Sequence, residues 1–352
     1  VTVRGEIGSG DFVKSTPAVS DAFIQRYNAN TAYGAVAGKI TFSGGDMDKY
    51  PMKYPLGASF SDNYVLKIKN AGSAGYNRRF LVQFNLDDYK GNLESIKNAS
   101  VRLHISRYDL WNQAGGSNDD QKMRNTRRNL DVYAVDSSWN ENAVTWNNAP
   151  LNAEITANNH NGGGDHDNQP PTYDKTKPVS HKMYINNDAV ANGHTIEVDV
   201  SDYIRTLKNG EKSVSFLVDI PCGNDYDKDN SGFDAFSKEG AAAAYQAYTE
   251  KKLPAGIEVK SATSLAPQLV ISEVYETGIE KIEVTTKLGD TPNLPDEAKL
   301  LYSDNTTKHV GVIWNSIEPE KYLKEGEFTV TGYSGATNMP ITAPGPVVAD
   351  HI

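Results

Sequence analysis

The 352 residues contain one cysteine, Cys222, which has no internal partner. That excludes a disulfide-built scaffold, and with it a structural zinc site assembled from thiolates. Long apolar runs are missing too. None approaches the roughly 18 residues of a membrane-spanning helix, and mean hydropathy is −0.55. Basic residues are the minority, 35 against 45 acidic, for a net charge of −10. A total of that sign does not attract a polyanion, so a general nucleic-acid binder is not expected. Helical periodicity is scarce. The chain opens on Val1 with no basic-plus-apolar leader and closes through Pro340–Pro346, a stretch that reads as a linker to a further module. The expectation is an internal piece of a longer protein.

What is present is alternation. Phe80, Val82 and Phe84 face one way while Arg79, Leu81 and Gln83 face the other, and Val101, Leu103 and Ile105 alternate with Arg102, His104 and Ser106. This period of two is the mark of half-buried strands. Further strands are expected over 64–69, 130–135, 195–200, 214–220 and 269–274. Ser201 to Leu207 suggests a short turn of helix with Ser201 as N-cap. Ala241 to Tyr248 favours one or two helical turns at most. Polar insertions rich in Gly, Asn and Asp separate the strands at 44–57, 111–129, 157–192 and 222–232. Short strands carrying long loops predict an all-β sandwich, not an α/β fold.

A second unit begins near Ile279, with strands expected over 282–286, 298–302, 310–314 and 328–333 at immunoglobulin-like spacing. From Glu276 onward there are 12 acidic and 6 basic residues, so this unit holds −6 of the net charge. Three parts are expected: residues 1–275 as the large domain, 279–337 as a small spacer, and 338–352 as linker.

Four segments then invite comparison. Gly75-Tyr-Asn-Arg-Arg-Phe-Leu-Val-Gln-Phe-Asn-Leu86 resembles the signature of the DNRLRE family of extracellular β-sandwich modules. Asp136-Ser-Ser-Trp-Asn-Glu-Asn-Ala-Val-Thr-Trp-Asn-Asn-Ala-Pro150 is similar to that family's second block. Val198-Asp-Val-Ser-Asp-Tyr-Ile204 resembles the third; Phe236-Ser-Lys-Glu-Gly240 with Pro267-Gln-Leu-Val-Ile271 resembles the fourth. The resemblance covers roughly residues 15–275. It implies a jelly-roll β-sandwich used as a carbohydrate-binding module in bacterial polysaccharide-degrading proteins, some of whose relatives bind acidic polymers. The segment 282–332, with Tyr302-Ser-Asp-Asn-Thr-Thr307 and Val312-Ile-Trp314, is similar to bacterial immunoglobulin-like spacer domains. Asn305 stands where glycine is common there, and Asn tolerates the left-handed backbone. The resemblance thus implies an extracellular location, a polysaccharide partner and a catalytic module covalently linked in the parent chain.

Strand parity suggests where a glycan would sit. If the apolar residues face inward, Lys67, Lys69, Arg79, Arg102 and His104 share an outer face, provided the resemblance makes their strands neighbours. Arg would pair a uronate carboxylate bidentately and Lys would supply point charges; a merely solvated face is the plain alternative. Tyr108, Trp111 and Tyr173, in or beside long loops, are candidate stacking platforms. Trp139 and Trp146 read as packing, and Trp314 as core of the second unit.

Asp225, Asp227 and Asp229 alternate like the opening of a calcium loop and are the expected ligands of a structural Ca2+. An EF-hand would place Gly at 230 and Glu at 236, where the chain has Asn230 and Phe236; Asp234 is a substitute ligand. His160 to Asp167 has metal-capable side chains but poor spacing. No catalytic residue is assigned. Arg102, His104 and Tyr108 could supply the carboxylate neutraliser and base of a polysaccharide lyase from one strand and its edge, although such a triad is common by chance on a polar strand. No nucleophile elbow, P-loop or zinc-protease helix occurs. The expected function is non-catalytic polysaccharide binding, with a protein-contacting adhesive module and a lyase as alternatives.

Overall fold

The computed structural model describes residues 13–45, 47, 51–70, 74–87, 89, 93–110, 126–158, 178–208, 210–221, 231–254, 256–272, 276–302 and 305–349. The larger domain contains β1 (Val13–Gln25), β2 (Lys39–Thr41), β3 (Ser59–Ser61), β4 (Val65–Lys69), β5 (Arg78–Asn85) and β6 (Asn98–Leu110). It continues through β7 (Arg127–Val135), β8 (Ser180–Ile185), β9 (Thr195–Asp199), β10 (Ser213–Asp219), β11 (Ser231–Phe236) and β12 (Gln268–Ser272).

Strand order gives the sandwich. One layer runs β8-β7-β10-β5 to the second half of β1, and the other runs β4-β11-β6 with β12 and β9 beside the first half of β6. β1 joins the layers, pairing with β12 through residues 13–17 and with β5 through 18–25. On the other side, β4 meets β5 only at Lys69 and Arg78. The inner face is the apolar half of each alternation: Phe80, Val82, Phe84, Phe216, Val101, Leu103 and Ile105 form one core with Leu66, Ile68 and Phe233. Each such burial is worth about 1.5–3 kcal/mol against exposure.

Two further layers cover the outside. Residues 136–150 and helix α1 (Asn152–Asn158) lie over Ala22, Ile24, Leu81, Tyr133 and Leu217, which pack on Val144, Trp146, Ala149 and Ile155. After helices α2 (Asn186–Ala191) and α3 (Ser201–Thr206), helix α4 (Lys238–Thr249) packs Ala244 and Ala247 on Phe60, Val65 and Phe236. α4 is therefore a full 12-residue helix, not the one or two turns expected. Ser237 caps it by accepting from Gly240 N, and its alanine face supplies the contact that propensity alone does not reveal. Ser201 is the first residue of α3, not its cap; Asp199 Oδ1 accepts from Ser201 N instead.

The smaller domain has β13 (Glu276–Ile279), β14 (Thr286–Lys287), β15 (Glu297–Tyr302), β16 (Thr307–Gly311), β17 (Ile313–Trp314), β18 (Gly326–Ser334) and β19 (Thr337–Val348). Two sheets, β13-β15-β16 and β14-β19-β18-β17, enclose Ala298, Leu300, Val310, Val312 and Ile341, with Trp314 packed against them. Asn305 adopts φ 64°, the left-handed turn position. The stretch expected to be linker is β19, paired with β18 along most of its length.

Candidate functional site

The five cations expected on one outer face do not meet. Arg79 does lie outside the sandwich core, but it is only 4% exposed, beneath the 136–158 cover. Its Nε is 2.8 Å from Asp219 Oδ1, Nη1 donates to Asn152 Oδ1 (2.6 Å) and Thr156 Oγ1 (2.8 Å), and the guanidinium lies 4.9 Å from the Trp146 ring centroid. It holds α1 and the Trp146 block against the sheet. The same cover explains Trp139, whose Nε1 donates to Ser215 Oγ.

Arg102 and His104 sit two strands away from β4. Arg102 Nε is 2.8 Å from Glu197 Oε1 on β9, and that oxygen is also 4.0 Å from Lys308 Nζ of the smaller domain. His104 is held neutral: burial, then the neighbouring Arg102, lowers its pKa to about 4. Tyr108 is fully buried in the core, its hydroxyl 2.9 Å from His194 Nδ1, so it offers no ring to a ligand. Asp234 accepts from Arg107 Nε at 2.9 Å and is 3% exposed, which commits it to β6 and not to the expected calcium loop. Trp111, Tyr173, the 160–167 segment and Asp225, Asp227 and Asp229 lie outside the described residues.

Lys67 and Lys69 do share a neighbourhood, with residues that parity did not single out. Across β4, β5 and β1, Lys69 pairs with Arg78 and Arg78 with Gln25, so three strands end in one row. Beyond that row the chain places Tyr27 after β1 and Tyr76 before β5. Their rings are parallel within 5°, with centroids 5.5 Å apart, and they remain 66% and 48% exposed. Gly75 sits against Tyr27, 3.9 Å from Cδ2 to where a Cβ would stand. Arg78 Nε donates to Gln25 Oε1 (3.2 Å) and Nη1 to the Tyr76 carbonyl (3.4 Å), while Nη2 makes no bond among the described residues. Gln25 is in turn held by Tyr33, which accepts from Asn28 and stacks on Phe23. Lys67 extends over the Phe23 ring, 5.5 Å from its centroid, and Lys69 is buried.

This end of the sandwich can therefore present two aromatic faces and an oriented guanidinium to a ligand. A sugar ring stacks on an aromatic face, and a carboxylate fits a guanidinium edge. The clue in the sequence was adjacent to the residue chosen: Arg78 precedes Arg79 in the same block, and Tyr76 precedes both.

Comparison with known proteins agrees with a modular binding protein. Residues 56–162 match the model of carbohydrate-binding module family 96, and residues 279–333 match that of the bacterial Ig-like domain (group 4), in that order. Modules of both kinds are non-catalytic. No curated protein matches the chain. Among solved structures, one described as a surface protein in solution is 17% identical over 22% of this chain and 93% of its own, with a TM-score of 0.14, too low to indicate a shared fold. Among the described residues no helix is long and apolar enough to cross a membrane.

Proposed function

We propose that this chain binds an acidic, uronate-containing polysaccharide outside the bacterial cell, and holds an attached degradative module on that substrate. The observation that supports it most is the exposed parallel pair Tyr27 and Tyr76 beside Arg78, whose guanidinium is pinned on one side and open on the other. Lys67, in the middle of the adjoining strand β4, adds positive charge two residues back from the row. The surface is open and shallow, so single-site affinity is weak and avidity comes from neighbouring modules. The smaller domain serves as a spacer in this reading.

The test is affinity electrophoresis against acidic and neutral polysaccharides, with chain scission followed in parallel. Acidic polymers are expected to retard the protein without scission, and added salt to weaken the retardation. Tyr27→Ala with Tyr76→Ala, and separately Arg78→Ala, are expected to reduce affinity about tenfold or more while the fold survives. Unchanged affinity in both variants would place the site elsewhere, and scission would replace binding with lyase chemistry.

A further inference from the structure

A second polar cluster, away from the tyrosine pair, joins three parts of the fold that are distant in sequence. Asp21 lies in β1, Glu141 in the 136–150 cover and Glu239 in the first turn of α4. One carboxylate oxygen from each lies within 4.8 Å of the other two. Like charges at that spacing repel, and among the described residues one ammonium is shared by two of them: Lys238 Nζ sits 3.0 Å from Glu141 Oε1 and also contacts Glu239 Oε1. Three carboxylates and one ammonium leave two negative charges.

Asp21 supplies an independent observation. It is 2% exposed. Its Oδ2 accepts from Lys238 N at 2.8 Å, but Oδ1 is buried with no hydrogen-bond partner. A buried carboxylate oxygen without a partner is costly and uncommon.

We propose that Asp21, Glu141 and Glu239 bind one divalent cation of the calcium type. The donors are all hard oxygens, which suits Ca2+ and not a thiolate- or imidazole-seeking metal. Calcium accepts six to eight oxygens at about 2.3–2.6 Å with flexible geometry, so water completes the shell around three carboxylates. With +2 in place of the single ammonium it offsets more of the three carboxylates' −3 than Lys238 does, and it can give Asp21 Oδ1 the partner it lacks. Lys238, whose side chain is 25% exposed, occupies the position of a competing cation and moves toward solvent when the metal enters. The ion is structural: it ties β1 to the 136–150 cover, where Glu141 Oε2 already accepts from Asp21 N, and ties both to α4.

The experiment is calcium and magnesium titration of the metal-stripped full chain by calorimetry, with thermal unfolding alongside. The expected result is one equivalent of Ca2+ bound in preference to Mg2+. Tm should rise by about 5 °C or more when free calcium reaches about a hundred times Kd. Asp21→Asn is expected to abolish this uptake. Should that buried variant fail to fold, Glu239→Gln, on a side chain 30% exposed, decides, with an expected loss of about tenfold or more in affinity. Lys238→Met removes the competitor and is expected to bind calcium more tightly. Replacing Asp225, Asp227 and Asp229 together with Asn is expected to leave this equivalent in place. The proposal is overturned if the wild-type chain takes up no calcium, or if uptake survives Glu239→Gln and Asp21→Asn undiminished. It is also overturned if Lys238→Met binds calcium no better than the wild type, which would make Lys238 the resident cation.

Discussion

Arg79 lies on the side of β5 that alternation assigns to it, yet it is among the most enclosed cations in the protein. The pattern of one strand reports which face a residue takes, not what later covers that face. The covering segment begins 57 positions further on, at Asp136, and is anchored by Trp146 and Asn152 on the guanidinium itself. Arg79→Ala is expected to lower stability by about 3–5 kcal/mol in urea unfolding, because it strips the buried Asp219 carboxylate of its guanidinium. Arg79→Lys is expected to recover only part of this, since an ammonium cannot reach Asp219, Asn152 and Thr156 from one planar group. Binding of glycan by the folded fraction should be unaffected in both. Tyr27 and Tyr76 teach the converse: they are 49 residues apart, and only the β1–β5 register makes them neighbours. Neither was legible without that pairing, although Tyr76 stood inside the block that carried the family resemblance.

At the level of elements, the strands were legible and the surfaces they share were not. Alternation located β4 to β7, β9, β10 and β12, because one face of each is largely apolar, but it missed β11, whose start fell in the 222–232 insertion. It could not show that β11 separates β4 from the β6 pair Arg102 and His104, which is why those cations do not join Lys67. β19 escaped notice for a different reason. Its prolines suggest a linker, but the Pro344 carbonyl accepts from Val284 N, so that side of residue 344 faces away from β18. Pro344 and Pro346 share that side by strand periodicity, and the amide hydrogens they lack were never needed by the β18 ladder. Helix α4 offers the sharpest test of packing against propensity. Gly240→Ala raises intrinsic helix propensity by about 1 kcal/mol. Yet a Cβ at that position would stand 1.9 Å from the Tyr64 carbonyl oxygen, where backbone cannot yield easily. The expected net outcome is a loss of about 1–3 kcal/mol, read as a lower Tm.

Across the whole molecule, the two domains are joined by polar contacts whose charge depends on pH. Asp188 on α2 accepts from Gly335 N at 2.8 Å, in the turn between β18 and β19, and from Ser334 Oγ at 3.2 Å, at the end of β18. Gly335 is close enough to the larger domain that a Cβ would meet Tyr184 Cα at 2.6 Å. Burial raises the Asp188 pKa to about 6, partly opposed by those same hydrogen bonds. His104, behind the Arg102–Glu197–Lys308 contact, shifts the other way, to about 4. The signs follow from which state holds the proton. Between about pH 4 and 6 the folded protein keeps Asp188 protonated while the unfolded chain does not, so this group's contribution falls as pH rises and levels off above about 6. The unfolded chain protonates His104 below about 6.5 while the folded one keeps it neutral, so stability is lost as pH falls toward 4. Each shift corresponds to about 3 kcal/mol over its range, and the two windows overlap almost completely. They therefore offset one another, and together they give a shallow dependence where either alone would give a steep one. Asp188→Asn removes the opposing slope, so its urea midpoint is expected to fall more steeply than the wild-type midpoint between pH 6.5 and 4.5. His104→Gln removes the acid-labile slope and is expected to invert the trend, becoming relatively more stable toward pH 4.5. Parallel curves for all three proteins would mean that neither group carries its proton differently when folded, and that the domain contact is insensitive to charge at Asp188.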